Sequence, residues 1–503
     1  MAARLNQTMK WLRLLLWILP LTAQSSPANG DDPKPNVVLI LADDLGYGDV
    51  RCLNQNGKIP TPNLDRLAAE GMVFTDAHSS SAVCTPSRYS ILTGRYNWRS
   101  RLKRGVLNGY SPPLIEPGRL TLPAMLQQKG YHTACIGKWH LGMHWSLTNG
   151  GFAKGDANGW MVDYAQPVRD GPLEHGFNHF YGISASLDMP PYLFIENQRA
   201  AGLPSVEKTW IRKGPAVADF EAIEVLPEMA KRGTTYIEQR AEAARKGHPF
   251  FLYLSLTSPH TPILPSPQWQ GKSITSYADF VMQTDHVVGE IMSALTSHGL
   301  QTNTLLIFSS DNGCSPQANY PELEAKGHHP SAHFRGTKAD LFEGGHRVPF
   351  IARWPGKVKA GSVSAALIGQ VDLMATCAAL VGFSLPTIAA EDSISFAPIL
   401  LHRPSITSRE TIVHHSINGS FAIRQGHWKL LLCSDSGGWS YPRPGSEEAK
   451  TLPPVQLYNL STDIGETRNL QDMHPEKVHQ LKTLLELYTV NGGSTDRQAT
   501  PAP

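Results

Sequence analysis

Short apolar runs alternate along the chain with longer amphipathic stretches, and this alternation predicts a sheet covered by helices. Residues 37–41, 249–256 and 304–308 are apolar at nearly every position, which is typical of strands buried on both faces. Residues 62–70 and 277–298 have the spacing of amphipathic helices, and a glycine follows each of them. The pattern predicts an α/β fold with a large mixed, mostly parallel sheet sandwiched by helices.

The same pattern predicts further elements between these segments. Strands are expected at 72–77, 131–136 and 348–353, and helices at 122–129, 225–245 and 371–380. A shorter helix is expected to start just after Cys84, with Thr85 as its N-cap, Pro86 at its first position and Gly94 as its stop. Residues 143–235 are rich in glycine, proline and aromatic residues and are predicted to consist largely of loops that cover the site and shape a substrate pocket.

The pattern changes after about residue 405. Short strands are predicted at 411–415, 420–424, 428–433 and 456–460, followed by a helix at 475–490. This order is typical of a smaller C-terminal α+β subdomain, an antiparallel sheet plus a helix. We therefore divide the chain into a signal peptide at 1–25, a linker at 26–35, a catalytic domain at 36–404, the C-terminal subdomain at 405–490 and a loose tail at 491–503.

The N-terminus has the features of a secretory signal. Arg4, Lys10 and Arg13 precede the apolar run 14–21, and small residues follow it. The run is too short to span a bilayer, although a hydrophobic anchor is the alternative. We expect export to the periplasm, the extracellular space or a lysosome-like compartment, depending on the source, and no membrane span in the mature form.

Composition and charge exclude several classes of protein. The 503 residues are 41% hydrophobic and 17% charged, which is an ordinary globular composition. The formal net charge is +2, from 45 basic and 43 acidic residues, so we expect no nucleic-acid partner. The 6 cysteines are widely spread and form no CxxC pair, which excludes a disulfide scaffold but leaves one or two bridges open.

Oxygen-rich side chains follow two of the predicted strands. Asp43 and Asp44 follow the strand at 37–41, and Asp311 and Asn312 follow the strand at 304–308. Ligands of parallel sheets bind beyond the carboxyl ends of the strands. These are hard oxygen ligands, so they predict a site for one divalent cation, Ca²⁺ or Mg²⁺. Because adjacent side chains of a flat strand point to opposite faces, we also expect the backbone to bend at Asp43.

Several cationic or ionisable side chains occur near the same predicted strand ends. They are Arg88, Lys138, His140, His260 and Lys338. Lys138 and His140 flank a tryptophan and would share one side of an extended chain. A divalent cation surrounded by these groups indicates an anionic ester as substrate, either a sulfate or a phosphate.

Cys84 lies at the positive end of the short predicted helix, where an anion would bind. Two interpretations follow from the residues alone. A free cysteine is often a small buried hydrophobic residue, and a cysteine in a positive environment is a candidate thiolate nucleophile.

The motifs in which these residues occur resemble those of the sulfatase family, within the alkaline-phosphatase-like superfamily. The resemblance spans about residues 35–490. It is carried by Leu-Ala-Asp43-Asp44-x-Gly-x-Gly-Asp, Cys84-Thr-Pro-Ser-Arg88 followed by Leu-Thr-Gly, Gly-Lys138-Trp-His140-Leu-Gly, the strand-end His260, Asp311-Asn312-Gly and Arg-Gly-x-Lys338 followed by Glu-Gly-Gly-x-Arg-Val-Pro. A C-terminal Leu-Tyr-Asn-Leu block at 457–460 is also similar.

The resemblance implies an arylsulfatase-type enzyme that cleaves aryl or carbohydrate sulfate esters and releases inorganic sulfate. It implies that a formylglycine-generating enzyme oxidises Cys84 to formylglycine (3-oxoalanine). It also implies that one cation, Ca²⁺ on the family's precedent with Mg²⁺ as the alternative, is held by Asp43, Asp44, Cys84 in its modified form, Asp311 and Asn312.

The resemblance further implies a role for each remaining residue. One hydroxyl of the hydrated aldehyde attacks sulfur in line, and His260 and Lys338 stabilise or protonate the leaving oxygen. The second hydroxyl is deprotonated with help from His140, which expels sulfate. Arg88 and Lys138 hold the diol oxygen and the charge around the cation.

Two alternatives belong to other functional classes. The first is a phosphoester or phosphonate hydrolase of the same superfamily, against which the cysteine motif argues. The second is an exported, non-catalytic protein that binds sulfated glycans. Comparing the turnover of an aryl sulfate with that of an aryl phosphate distinguishes the first alternative from a sulfatase. Retention of sulfated ligands without sulfate release would identify the second alternative.

Overall fold

A strand at the N-terminal end of the described chain lies in the middle of the largest sheet. The computed structural model describes residues 34–404 and 408–495. The predicted signal peptide 1–25, the linker up to residue 33 and the end of the predicted tail, residues 496–503, lie outside the described residues.

The helices and strands of the described residues follow the predicted alternation. The strands are β1 (Asn36–Asp43), β2 (Met72–Phe74), β3 (Ala77–His78), β4 (His132–Lys138), β5 (His179–Ile183), β6 (Ile195–Glu196), β7 (Arg199–Ala200), β8 (Val206–Trp210), β9 (Arg212–Ala216), β10 (Phe250–Pro259), β11 (Thr304–Ser310), β12 (Phe350–Arg353), β13 (Ser362–Ser364), β14 (Ile368–Gly369), β15 (Thr411–His415), β16 (Phe421–Gln425), β17 (Trp428–Leu431) and β18 (Gln456–Asn459). The α-helices are α1 (Pro62–Ala69), α2 (Cys84–Thr93), α3 (Leu122–Gln128), α4 (Ala222–Arg245), α5 (Ser276–Ser297), α6 (Tyr320–Ala325), α7 (Glu343–His346), α8 (Leu373–Val381), α9 (Ala397–Leu400) and α10 (Pro475–Val490).

Ten strands form the large sheet within the described residues, in the order β13-β2-β12-β11-β1-β10-β4-β5-β6-β7. The five central strands, from β11 to β5, pair in parallel. β12 is antiparallel to β11 and β2, and β6 is antiparallel to both β5 and β7. The predicted mixed, mostly parallel sheet is therefore confirmed.

The alternation of side chains in β1 shows why this sheet needs helices on both faces. Val37, Leu39 and Leu41 belong to one buried cluster, which includes residues of α2, α3 and α8. Val38 and Ile40 belong to the cluster on the opposite face, which includes residues of α1, α4 and α5. Because successive side chains of a strand point to opposite faces, an unbroken apolar run is buried on both of them.

The C-terminal part has the predicted antiparallel sheet. Within the described residues, β15, β16, β17 and β18 form a four-stranded sheet in that order, with every neighbouring pair antiparallel. Leu481 and Leu485 of α10 share a buried cluster with Val413 and Ile423 of this sheet. The α+β interpretation of this region is confirmed.

Two predictions of local structure are wrong. The short helix begins at Cys84 rather than after it, and its N-cap is Val83, so Thr85 does not cap it. The Thr85 hydroxyl instead accepts a hydrogen bond from the Leu107 N–H at 3.2 Å. Residues 143–235 are also not all loops, because β5 extends the parallel sheet and β8 and β9 form a hairpin. A strand as short as β5 leaves little periodic signal in a segment rich in glycine and aromatic residues.

All six cysteines lie within the described residues, and each is a free thiol there. The disulfide bridges that the sequence left open are not found. Among the described residues, no helix combines the length and apolar character that a bilayer crossing requires.

Candidate active site

Four neighbouring strands end at one edge of the sheet and bring the predicted polar residues together. The strands β11, β1, β10 and β4 are adjacent in that order. Asp311 and Asn312 follow β11, and Asp43 and Asp44 lie at the end of β1. His260 follows β10, and Lys138 is the last residue of β4. The carboxyl ends of parallel strands lie at the same edge, so residues far apart in the chain become neighbours.

The expected bend at the end of β1 is present. The pairing of β1 with β10 shifts register between Leu41 and Asp43, and Asp44 has a left-handed backbone with φ 65. The Asp44 N–H donates to Asp311 Oδ1 at 3.3 Å, and Asn312 Nδ2 donates to Asp44 Oδ1 at 2.7 Å. The bend thus directs both adjacent carboxylates toward the same group of side chains.

Each of the three buried carboxylates is paired with a buried cation. Lys138 Nζ lies 2.7 Å from Asp43 Oδ2, and Lys338 Nζ lies 2.8 Å from Asp44 Oδ2. Arg88 donates through Nε and Nη2 to Asp311 Oδ2, at 2.9 and 2.8 Å. A buried carboxylate without such a partner would be strongly destabilising, because burial removes its hydration.

The electrostatics of the carboxylates follow from these pairs. Burial raises the pKa of Asp43, but Lys138, His260 and Arg88 outweigh it, so the net pKa lies below the ordinary range. Burial raises the pKa of Asp311 to about 6, with the Asp43 charge adding to this and Arg88 opposing it. Three carboxylates are therefore crowded together even though each has a basic partner.

Two unpartnered oxygens show that this cluster fits a divalent cation. Among the described residues, Asp43 Oδ1 and Asn312 Oδ1 are buried and accept no hydrogen bond. One ligand atom each from Asp43, Cys84 and Asp311 lie within 4.8 Å of one another, as do those of Asp43, Asp44 and His260. Oxygen donors of this kind are those that Ca²⁺ and Mg²⁺ prefer.

Helix α2 places Cys84 and Arg88 beside the strand ends. Cys84 is the first residue of the helix, and Gly94 ends it in a left-handed conformation. All ten residues of the helix are buried. Arg88 lies one turn after Cys84 and donates to the Lys138 carbonyl at 3.2 Å, as well as to Asp311. The prediction of a short helix that positions both side chains is confirmed, with the corrected start.

The thiol of Cys84 is buried at the site. Burial raises its pKa, and the nearby charges of Lys138 and Lys338 oppose this without reversing it. A cysteine nucleophile needs a lowered pKa at neutral pH. The raised pKa of Cys84 thus disfavours the thiolate form of the unmodified side chain at neutral pH.

The backbone around His140 differs from the extended chain that we expected. His140 has φ 56, so it does not continue the alternation of β4. Its Nε2 lies 2.7 Å from the Leu107 carbonyl, which can only accept, so Nε2 carries the proton. Among the described residues, Nδ1 is buried without a hydrogen-bond partner. Burial, followed by the Lys138 and Arg88 charges, holds the pKa well below its ordinary value, so the ring is neutral.

His260 and Lys338 approach the site on the side of Asp44. His260 Nε2 lies 3.6 Å from Asp44 Oδ2, the oxygen that also contacts Lys338. Burial works against the charge of Lys338, but Asp44, then Cys84 and Asp43, raise its pKa above the ordinary value.

Ser186 is a site residue that no sequence motif predicts. Its hydroxyl lies 3.2 Å from Lys138 Nζ and 3.4 Å from the His260 ring nitrogens. It lies just after β5, in the region predicted to be loops. A lone serine carries no sequence signal, and only the pairing of β5 with β4 could have identified it.

A loop of the C-terminal sheet also reaches the site. Lys338 Nζ lies 6.0 Å from the centre of the Trp439 ring. Trp439 lies between β17 and β18 and is 39% exposed. No individual residue of the C-terminal part was predicted from the sequence to lie in the site.

The fold and this arrangement are typical of a hydrolase of sulfate or phosphate esters. Comparison with known proteins selects between the two. Residues 35–383 match the family model described as Sulfatase. The chain belongs to the sulfatase family, and the protein is a sulfatase.

Relatives support this assignment along most of the chain. An N-acetylgalactosamine-6-O-sulfatase of Bacteroides thetaiotaomicron is 36% identical over 495 residues, covering 90% of this chain and 93% of the relative. Human arylsulfatase A is 33% identical, covering 90% and 87%. A solved structure from work on the metabolism of multiple glycosaminoglycans by Bacteroides thetaiotaomicron has a TM-score of 0.78 and 32% identity, covering 91% of this chain and 100% of that one.

Proposed function

We propose that this sulfatase hydrolyses carbohydrate sulfate esters, with the 6-sulfate of an N-acetylated amino sugar in glycosaminoglycans as its substrate. The observation that carries the proposal is the position of Cys84 at the start of a buried helix. There the positive charges of Lys138 and Lys338 oppose the rise that burial causes in its pKa. The choice of sugar is supported by relatives named as N-acetylgalactosamine 6-sulfatases, at 36% and 32% identity.

The site residues fit the groups that the family implies. Asp43, Asp44, Asp311 and Asn312, together with the modified Cys84, would hold one divalent cation, which we propose to be Ca²⁺. The unpartnered oxygens of Asp43 and Asn312 support this assignment. The bound cation supplies positive charge that stabilises the anionic sulfate in the transition state.

Cys84 matured to formylglycine supplies, as its hydrate, one hydroxyl for attack on sulfur and a second for releasing the sulfate. Lys138 is held by Asp43 and Ser186 so that its charge stays beside this residue. Arg88 fixes Asp311 with two hydrogen bonds and contacts the Lys138 carbonyl, which keeps the cluster rigid before substrate binds.

His140 is proposed as the group that accepts the proton of the second hydroxyl. Its Nε2–H donates a hydrogen bond to the Leu107 carbonyl, which leaves Nδ1 as the proton acceptor. The ring is neutral at physiological pH because its pKa lies well below the ordinary value, so Nδ1 has a free lone pair to accept the proton.

Lys338 and His260 are proposed to act on the leaving oxygen. Both contact the same oxygen of Asp44, so they approach from one side. The raised pKa of Lys338 keeps it charged, which favours stabilisation of the developing negative charge. His260 donates its Nδ1–H to the Thr261 carbonyl at 2.6 Å, which leaves Nε2 directed to the site.

We also propose that residues 1–25 are a signal peptide and that the protein is exported. The cation-rich segment before the apolar run 14–21 supports this interpretation. The formylglycine-generating enzyme would then act on the Cys84 motif before the fold buries it, because the side chain is 2% exposed in the folded protein.

The test is sulfate release, followed by ion chromatography, from N-acetylgalactosamine 6-sulfate and its oligosaccharides. The matured enzyme should release sulfate, and Cys84→Ala should lower the rate at least about a hundredfold. Cys52→Ala, which removes a cysteine outside the site, should leave the rate unchanged. Phosphate release from the matching phosphate ester at an equal or higher rate would instead support a phosphoester hydrolase.

A further inference from the structure

A partly exposed indole lies beside Lys338 of the site. The Trp439 ring centre is 6.0 Å from Lys338 Nζ, and that nitrogen is 2.8 Å from Asp44. Lys338 itself is 5% exposed, whereas Trp439 is 39% exposed. The indole is therefore a solvent-accessible aromatic surface beside a buried lysine of the site.

The backbone of this loop is fixed by one buried carboxylate. Asp340 accepts hydrogen bonds from the N–H groups of Trp439 at 2.7 Å, Ser440 at 3.0 Å and Thr337 at 2.8 Å. A Cβ at Gly438 would lie 2.4 Å from the backbone of Ala339, so the loop packs directly against the segment that carries Lys338. The positions of Trp439 and Lys338 are thus set by the same anchor, two residues after the lysine.

We propose that Trp439 is the platform on which the sulfated sugar ring stacks, and that it makes the C-terminal sheet part of the substrate site. This inference rests on the proposed function, because the lysine must face the leaving oxygen of a sugar. An indole is a large, flat surface with few rotatable bonds, which binds the apolar face of a sugar ring at little cost in conformational entropy. Its electron-rich face also suits the positive edge of the C–H groups on that ring.

A structural alternative is that the indole only stabilises the charge of Lys338. Asp44 already pairs with this lysine at 2.8 Å, and a ring at 6.0 Å adds little to that pair. The two roles have different kinetic signatures. A sugar platform affects KM for the saccharide, whereas support of Lys338 affects kcat and the binding of every sulfate-like anion.

The experiment compares Trp439→Ala, Trp439→Phe and Tyr441→Ala with the matured wild type. Tyr441 is the matched control, because it is 65% exposed in the same loop. Three quantities are measured, namely KM and kcat for N-acetylgalactosamine 6-sulfate, and the inhibition constant of inorganic sulfate, which has no sugar.

Trp439→Ala should raise KM about tenfold, as expected for removing a central aromatic contact, while kcat and the sulfate inhibition constant change less than about twofold. Trp439→Phe should retain most of the affinity, and Tyr441→Ala should match the wild type. A KM for Trp439→Ala within about twofold of the wild type overturns the inference, as does a parallel weakening of sulfate inhibition. If the wild type itself releases no sulfate from the sugar, the proposed function is wrong, and the inference that Trp439 binds the sugar ring is then wrong as well.

Discussion

At the scale of single residues, the backbone at His140 determines the chemistry of its side chain. The left-handed conformation turns the ring out of the strand alternation, so that one nitrogen meets the Leu107 carbonyl and the other is left free. A buried, unpartnered acceptor costs free energy in the folded protein. We infer that this cost is tolerated because the nitrogen accepts a proton during turnover.

Replacement of His140 by alanine should lower kcat about a hundred- to a thousandfold with little change in KM, because a general base acts in the chemical step. Steady-state kinetics of sulfate release provide the measurement. His144→Ala is the control, since that histidine lies four residues further on and pairs with Asp170 at 2.8 Å, outside the site. Equal rates for the wild type and His140→Ala would remove this residue from the mechanism.

The residues that bring charge to the site could be found from the sequence, but those that complete it could not. Asp43, Asp311 and Arg88 occur in motifs, and the apolar strands before the two aspartates predict where they lie. Ser186 and Trp439 have no motif, and they reach Lys138 and Lys338 only through the packing of β5 and of a C-terminal loop. Contacts of this kind depend on tertiary structure, which local patterns do not encode.

At the scale of elements, the stability of helix α2 depends on the glycine that ends it. Gly94 adopts φ 62 and its N–H donates to the Ser90 carbonyl at 2.9 Å. A Cβ there would lie 2.7 Å from the Cβ of Ala390 and 3.1 Å from that of Met374. The glycine is therefore required both by the backbone conformation and by close packing against the neighbouring segments.

Gly94→Ala should lower the free energy of unfolding by about 1–2 kcal/mol for the left-handed conformation and by about 1–3 kcal/mol more for overpacking. Gly118→Ala is the matched control, with φ 75 and no atom within 4 Å of the added Cβ. Gly118→Ala should lose only about 1–2 kcal/mol, which is the cost of the left-handed conformation. Urea denaturation of both variants provides the measurement, and equal losses would show that packing around Gly94 relaxes freely.

Long elements with a strong period were predictable, whereas short ones were not. β1, β10 and β11 are unbroken apolar runs, and α5 is an amphipathic helix of 22 residues, so their patterns are clear. The start of α2 was misplaced because Thr85 and Pro86 resemble an N-cap and first turn, while the structure begins the helix at Cys84. β6 and β7 have two residues each, which is too few for a period.

At the scale of the whole molecule, a buried ionic network joins the C-terminal sheet to the segment after the site. Lys429 of β17 contacts Glu343 at 2.9 Å and Glu466 at 2.8 Å, and all three side chains are fully buried. Burial raises the pKa of Glu466 to about 7, with Lys429 opposing the shift and Glu343 adding to it. Two glutamates thus share one lysine. Removal of the lysine would leave Glu466 without an ion-pair partner among the described residues, whereas Glu343 would keep Arg347 at 3.0 Å.

Lys429→Met should therefore lower the free energy of unfolding by about 3–5 kcal/mol, the cost of breaking a buried ion pair. Lys450→Met is the control, because its pair with Glu447 is exposed and should contribute less than about 1 kcal/mol. Urea denaturation, followed by circular dichroism, measures both variants. Similar small losses for the two would mean that the network does not hold the C-terminal sheet in place.

The proposed mechanism requires that Cys84 is matured to the aldehyde on which sulfate-ester hydrolysis depends. The most direct test is the mass of the tryptic peptide 67–88, from protein purified from its natural source, since Cys84 is the peptide's single cysteine. We expect a mass lower than that of the thiol form by the difference between a thiol and an aldehyde, and reaction with a hydrazide. A peptide that keeps the thiol mass and alkylates completely would show that Cys84 is not matured.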